Sequence, residues 1–170
     1  MRRFIFAAAL LSAGVCLAVE ENDHRGSLGL TVAAGGEISR AISFTAAENG
    51  YRIPIELGGT LSFSAHNEIR VAGRVAPGIS PQTVAVSFYV GLRNTYGLGL
   101  WKTFFDFDVA AHVTPFLAFG VRGGFGVQYD FLPIMGVYAQ IGAQLGGATS
   151  LRLSGELFIG VQFRTYVFEP

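Results

Sequence analysis

Apolar and polar side chains alternate along the run from Leu151 to Phe168. Every second residue from Leu151 onward is almost always apolar, whereas the intervening positions carry three charges, Arg152, Glu156 and Arg164. Because successive side chains of a β-strand point to opposite faces, this pattern predicts a long strand between an apolar and a polar medium. About 9–11 tilted residues are enough for a strand to cross the hydrocarbon core of a bilayer. We therefore interpret this run as the closing strand of a membrane β-barrel.

The chain before it repeats the same alternation between turn signals. Seven further apolar faces precede the last strand, and they begin at Leu28, Ile53, Ile69, Val84, Trp101, Leu117 and Met135. Short alternating runs separated by Gly, Pro, Asn and Asp are typical of antiparallel strands. The sequence thus predicts an all-β fold, an antiparallel up-and-down transmembrane barrel of eight strands. The stretch from Gly35 to Tyr51 alternates weakly and fits either a loop with strand-like arms or an extra strand, in which case ten strands are possible.

Composition limits the alternatives. Hydrophobic residues make up 51% of the chain, yet no internal run approaches the roughly 18 consecutive apolar residues of a transmembrane helix. Lys102 is the only lysine among 170 residues, beside 23 glycines, which indicates little ordinary aqueous surface because exposed lysines suit water. Twelve basic residues balance twelve acidic ones. The sequence therefore offers no basic patch for a nucleic-acid partner.

The N-terminus has the features of an export signal. A positively charged start, an apolar core and a small-residue cleavage site predict a secretory signal peptide over residues 1–18. Cleavage after Ala18 would remove Cys16, the only cysteine, so the mature chain would have no disulfide or thiol chemistry. Residues 19–26 would then be a short periplasmic leader, and residues 27–168 the barrel. We expect export by the general secretory route.

Alternation alone does not say which face is inside, because a soluble lipocalin-like barrel also alternates. Small residues on the polar face, such as Gly120, Gly124 and Gly126, suit the crowded interior of an eight-stranded barrel. Since buried charges are costly unless paired, we expect the charges of that face to plug the lumen as salt-bridged clusters. By parity this lumen charge network contains Arg52, Glu56, Glu68, Arg70, Arg74, Arg93, Lys102, Asp106, Asp108, Arg122, Arg152, Glu156 and Arg164.

At this point the chain resembles the small outer-membrane barrels of Gram-negative bacteria, the eight-stranded OmpA/OmpX class. The secretory signal, the hairpin rhythm and the alternating C-terminal strand carry the resemblance. Aromatics near predicted turns fit interfacial girdles: Tyr96, Trp101, Tyr129 and Phe131. The resemblance implies outer-membrane lipid as surroundings and recognition of the last strand by the barrel-assembly machinery, here through Leu157, Ile159, Val161, Phe163, Tyr166 and Phe168.

The resemblance also implies that both termini face the periplasm. The extracellular loops would then be Gly35 to Tyr51, Pro77 to Pro81, Ala111 to Pro115 and Gly147 to Ser150. All but the first of these are short, which does not favour a large adhesin.

Two groups of residues have the types needed for chemistry. Ser64, His66 and Glu68 contain the ingredients of nucleophilic catalysis, but residues two apart on a strand lie about 6–7 Å from each other, so a polar turn is the preferred interpretation. Asp106, Asp108 and His112 could ligate a divalent cation, yet one strand cannot enclose an ion, and pairing with neighbouring arginines is preferred. No catalytic, cofactor-binding or metal-binding residue is therefore predicted.

These observations predict a non-enzymatic outer-membrane barrel with a structural, stress-related or surface-interaction role and a largely plugged polar lumen. The alternative is a narrow pore for ions or small solutes. A lipid-modifying enzyme similar to lipid A deacylases and a soluble periplasmic lipocalin-like carrier are less favoured hypotheses.

Overall fold

The alternating runs of the sequence form antiparallel β-strands. The computed structural model describes residues 26–42, 47–97, 99–115, 117–147 and 151–166. The predicted signal peptide and almost all of the leader lie outside these residues. No helix in the described part of the chain is long and apolar enough to cross a membrane.

The described residues form nine strands. They are β1 (Ser27–Ile42), β2 (Ala47–Arg52), β3 (Ile55–Ser62), β4 (Asn67–Ser80), β5 (Val84–Tyr96), β6 (Trp101–Thr114), β7 (Ala118–Leu132), β8 (Met135–Gly147) and β9 (Leu151–Tyr166).

The sheet closes on itself. From β3 to β9 each strand pairs antiparallel with the next, and β1 pairs with β9 along its whole length, from Ser27 opposite Tyr166 to Ile42 opposite Leu151. The prediction of an antiparallel up-and-down barrel is confirmed. We name the end where Ser27 meets Tyr166 the terminal end, and the opposite end, where Ile42 meets Leu151, the distal end.

Strands β2 and β3 share one position in the ring. β1 pairs with β2 through residues 37–42 and with β3 through residues 28–34, and both short strands also pair with β4. Between them lies Pro54, which has no amide hydrogen to donate to a ladder. Around this break the Ile53 amide donates to the Pro77 carbonyl and the Gly35 amide to the Pro54 carbonyl, both at 3.0 Å. The described sheet therefore has eight positions round the ring, as expected for the OmpA/OmpX class.

Most of Gly35 to Tyr51 is strand rather than open loop, which fits the interpretation of a loop with strand-like arms. β1 continues to Ile42 because β9 offers its backbone a partner at every residue, and β2 returns along it from Ala47. The connection, residues 43–46, lies outside the described residues. The loops predicted at Pro77 to Pro81 and Ala111 to Pro115 are also shorter than expected, since β4 extends to Ser80 and β6 to Thr114.

Burial in the barrel is the reverse of burial in a soluble protein. Outward-facing apolar side chains are exposed, for example Ile159 at 67% and Phe107 at 60%, whereas the inward-facing Arg122 and Asp108 are 0% exposed. A continuous apolar outer face of this extent requires an apolar medium around it. The polar side of each strand forms the core.

Candidate functional site

The lumen is crossed at mid-height by a closed ring of alternating charge. We call it the central ring, and its members in order are Glu56, Arg70, Asp108, Arg122, Glu156 and Arg74. The nitrogen–oxygen distance is 2.6 Å for Arg70–Asp108, 3.0 Å for Asp108–Arg122, 2.7 Å for Glu156–Arg74 and 2.8 Å for Arg74–Glu56. Close Glu56–Arg70 and Arg122–Glu156 pairs complete the ring.

Strand register accounts for part of this arrangement. Glu56 lies directly opposite Arg74 across the β3–β4 ladder, and Asp108 lies opposite Arg122 across the β6–β7 ladder. Opposite charges in such cross-strand positions attract each other. Glu56 also reaches Arg70 further along the same β3–β4 ladder. The other three contacts span strands that are not neighbours, such as Glu156 of β9 and Arg74 of β4. Three arginines and three carboxylates thus neutralise one another in a space from which water is largely excluded, as buried charges require.

Next to the ring, Arg93 makes a two-pronged contact with Asp106. Its Nε and Nη2 donate to the two carboxylate oxygens at 2.7 and 2.9 Å, and the guanidinium lies 4.0 Å from the centre of the Phe104 ring. Phe104 in turn meets Tyr138 edge to face, with ring centres 5.8 Å apart. Arginine stacked on an aromatic face keeps favourable contacts without water. Aromatic packing therefore fills the space between the charges.

A second group of charges lies nearer the terminal end. Lys102 contacts Asp130 at 2.8 Å, and Arg164 contacts both Glu68 at 3.0 Å and Asp130 at 3.5 Å. Gln128 also donates to Asp130 at 2.5 Å. This terminal cluster places a second charged layer across the lumen below the central ring.

At the distal end the lumen widens into an open pocket with an empty volume of about 640 Å³. Strands on every side of the ring contribute to its wall, including Glu37, Arg52, Ser87, His112, Thr114, Gln144, Arg152 and Ser154. Arg52 Nη1 donates to Glu37 at 3.2 Å. The Ser87 hydroxyl lies 2.7 Å from His112 Nδ1, while Gln144 Nε2 lies 2.5 Å from His112 Nε2. We call this space the distal pocket.

The structure places the predicted lumen charges inside the barrel. All thirteen are buried except Arg152, which is half-buried in the wall of the distal pocket. Two further acids belong to the same network and were missed by sequence reasoning, Glu37 and Asp130. Glu37 lies in the weakly alternating stretch from Gly35 to Tyr51, and Asp130 lies close to the end of β7, so the sequence pattern assigned neither of them to a face. The strict alternation of the flanking strands was the signal that could have found them.

The predicted aromatic and last-strand residues lie mainly on the outer face. The Trp101 and Tyr129 rings are 4.8 Å apart near the terminal end, and Tyr96 packs against Phe105. Phe131 is exposed, as are Leu157, Ile159 and Phe163, while Val161 is half-buried. Phe168 and the side chain of Tyr166 lie outside the described residues. The interfacial and assembly roles of these residues stay predictions.

Neither candidate chemical group is assembled. His66 Nδ1 contacts the Thr95 carbonyl rather than Ser64, and Glu68 accepts from Ser62 and Arg164. Asp106 and Asp108 bind arginines. Among the described residues, no group of three or more His, Cys, Asp or Glu side chains could hold a metal ion.

Neither a protein-family model nor a curated protein matches the sequence. The fold, however, matches solved structures. The N-terminal β-barrel domain of Pseudomonas aeruginosa OprF has a TM-score of 0.57 at 12% identity, over 83% of this chain and 98% of that one. Neisserial surface protein A has a TM-score of 0.53 at 16% identity, over 79% and 96% of the two chains. This chain has the fold of a small outer-membrane β-barrel.

A third match is a designed protein from work on the de novo design of transmembrane β-barrels. Its TM-score is 0.58 at 12% identity, over 83% of this chain and 97% of that one. Because natural and designed barrels match about equally well, the likeness concerns architecture. Function must be argued from the lumen itself.

Proposed function

We propose that this protein is a non-enzymatic component of a bacterial outer membrane, with a structural or surface-interaction role, and that its lumen does not conduct solutes. The outer face is apolar over the described strands, which suits the hydrocarbon interior of a bilayer. The fold of the matched barrels supports the same location.

The central ring is the observation that carries the proposal of a closed lumen. Its six side chains come from five strands, β3, β4, β6, β7 and β9, and bridge the interior from wall to wall. Arg70, Arg122 and Asp108 are at most 1% exposed. To pass through the lumen, a hydrated ion would have to separate several buried ion pairs. Each separation is costly because it leaves a buried charge without its partner. A barrel of eight positions leaves little interior beyond its own side chains.

The location is tested by isolating outer membranes and comparing the gel mobility of the protein in boiled and unboiled samples. A folded transmembrane barrel resists the detergent and migrates differently until it is heated, so we expect a heat-dependent shift in the outer-membrane fraction. A protein found soluble in the periplasm, with no such shift, would contradict the proposed location.

Closure is tested by conductance in planar bilayers. We expect no steady current steps from the native protein. The matched variant replaces Glu56, Arg74, Arg122 and Glu156 with serine, which removes two charges of each sign and keeps the net charge unchanged. If it retains the heat-dependent gel shift, it should conduct. Steady conductance by the native protein would favour the narrow pore instead.

A further inference from the structure

We propose that the distal pocket binds a small soluble anion that carries a phosphate, sulfate or carboxylate group, with Arg52 as its principal contact. This goes beyond the proposed function, which requires only a closed lumen and an apolar outer face. The inference rests on the shape of the pocket, the charge of its wall and the hydrogen-bonding groups that face it.

The pocket is open on one side and closed on the other. Its floor is formed by Arg74 and Tyr89, whose ring centre lies 4.4 Å from the guanidinium carbon. Below that floor Arg74 is fixed in the central ring by Glu56 and Glu156. A solute in the pocket cannot continue through the lumen, which is the geometry of a binding site rather than a channel.

Small side chains create the space. Where the middle of the lumen holds arginine, phenylalanine and tyrosine, the pocket wall has Ala76, Ala85, Ala118 and Gly146 at inward positions. The space that these small side chains leave is suited to a small anion rather than to a large ligand.

The wall of the pocket favours negative charge. Its described lining residues include three arginines, Arg52, Arg74 and Arg152, and a single carboxylate, that of Glu37. Arg74 is neutralised within the central ring, so Arg52 and Arg152 against Glu37 leave one excess positive charge in the wall. The field of that charge in a concave, partly dry site attracts anions more strongly than the same charge on an open surface. The imidazole of His112 also lines the pocket; it is polar and carries no negative charge that would repel an anion.

Arg52 is the residue best placed to make direct contact. Arg52 contacts Glu37, which accepts from its Nη1 at 3.2 Å. A guanidinium has five N–H donors in a planar fork, and that fork matches the oxygens of a carboxylate, phosphate or sulfate in a two-pronged contact. Arg74, by contrast, already contacts three carboxylates, those of Glu37, Glu56 and Glu156, and contributes the floor of the pocket.

The opposite wall offers neutral polar groups that would orient the solute. Ser87 and His112 contact each other at 2.7 Å, and the Tyr89 hydroxyl donates to Gln144 Oε1 at 3.0 Å. A few fixed polar groups facing a charged anchor are the usual means by which a pocket selects orientation. Because the pocket opens along the axis and the lipid-facing surface lies on the other side of the strands, the ligand is a free solute rather than a membrane lipid.

The test is calorimetric titration of sodium sulfate and of sodium phosphate into the full mature protein folded in uncharged detergent micelles, in a zwitterionic buffer of low ionic strength. Low salt matters because screening weakens the attraction. Arg52→Gln removes the proposed contact. The matched control is Arg40→Gln, which removes the same charge from an exposed side chain near the distal end of β1 on the outer face. Glu37→Gln removes the carboxylate of the pocket.

We expect saturable binding of both anions by the native protein and a loss of about tenfold or more in affinity for Arg52→Gln, the effect of losing one charged hydrogen-bond donor. Arg40→Gln should bind as the native protein does, and Glu37→Gln should bind more tightly. Each variant is first checked for the heat-dependent gel shift. The proposal is overturned if the native protein binds neither anion, if Arg40→Gln loses as much affinity as Arg52→Gln, or if Glu37→Gln weakens binding.

A second experiment tests whether the anionic group in the pocket belongs to a lipid headgroup instead of a free solute. Vesicles containing phosphatidylglycerol are added to the micellar protein in place of sulfate, at the same phosphate concentration. Absence of competition with sulfate supports the free solute, whereas competition in the native protein would show that a lipid headgroup occupies the pocket and would overturn the assignment to a soluble ligand.

Discussion

The outer face and the lumen of this barrel are built on the same strands, yet they obey different packing rules. On the outer face a side chain added to Gly123 or Gly155 would meet nothing within 4 Å. Inside, a side chain added to Gly126 would run into the Phe104 ring, and one added to Gly142 would reach the Glu156 carboxylate. Lipid adapts to the shape of the outer face, whereas the lumen is filled by side chains that cannot move aside. Specificity of the fold therefore resides mainly in the interior.

The largest difference in the free energy of unfolding is expected between substitutions at two consecutive residues of β9, one facing the lumen and one facing lipid. Glu156→Leu leaves Arg74 and Arg122 without their shared carboxylate, and breaking a buried ion pair from one side costs about 3–5 kcal/mol. Leu157→Ala removes methyl groups from the lipid-facing side, at about 2 kcal/mol. Urea unfolding of both variants in lipid vesicles measures the free energy of unfolding. Equal unfolding midpoints would contradict the assignment of faces.

A charge placed on the outer face tests whether that face lies against lipid while the charged residues belong in the lumen. Val90 is the middle residue of β5 and is 55% exposed, so Val90→Arg should destabilise the barrel by about 2–4 kcal/mol at the bilayer midplane. Val84→Arg, at the distal end of the same strand, should cost about 0–1 kcal/mol. The same unfolding measurement applies. A cost that is independent of depth would mean that lipid does not cover this face.

The smallest effect is expected for a pair of glycines in β7. Gly126→Ala forces the Phe104 ring to move within a packed interior, and overpacking of this kind costs about 1–3 kcal/mol. Gly123→Ala, on the outer face of the same strand, should change stability by no more than about 0.5 kcal/mol. Thermal loss of the gel shift ranks the two variants. A larger effect for Gly123→Ala would reverse the assignment of inner and outer faces in β7.

Alternation in the sequence was sufficient to predict most of the strands and the inward face of thirteen charged residues, because the side-chain period of a strand is fixed at two. The extent of β1 was not predictable in this way. Residues such as Gly35, Gly36 and Ser39 have weak strand preference, and they are held in the sheet because β9 pairs with them.

The sequence was also insufficient to predict which charged side chains contact each other within the lumen. Parity placed Glu156 inside, but its contacts with Arg74 and Arg122 depend on register and on which strands face each other across the lumen. The distal pocket depends on the same information, since Ser87 and His112 meet through a ladder whose register shifts beside Val86. Long-range geometry of this kind is a property of the closed barrel.

The central ring has a consequence for how the chain enters a membrane. Its members come from β3, β4, β6, β7 and β9, so the circuit of charges is complete only after the last strand has paired with the first. Before that moment Arg74 and Arg122 have their ladder partners Glu56 and Asp108 but lack the shared carboxylate of Glu156, and an incompletely paired buried charge is costly. Partly inserted intermediates are thereby penalised, and closure of the β1–β9 seam becomes the step that commits the whole chain to the bilayer.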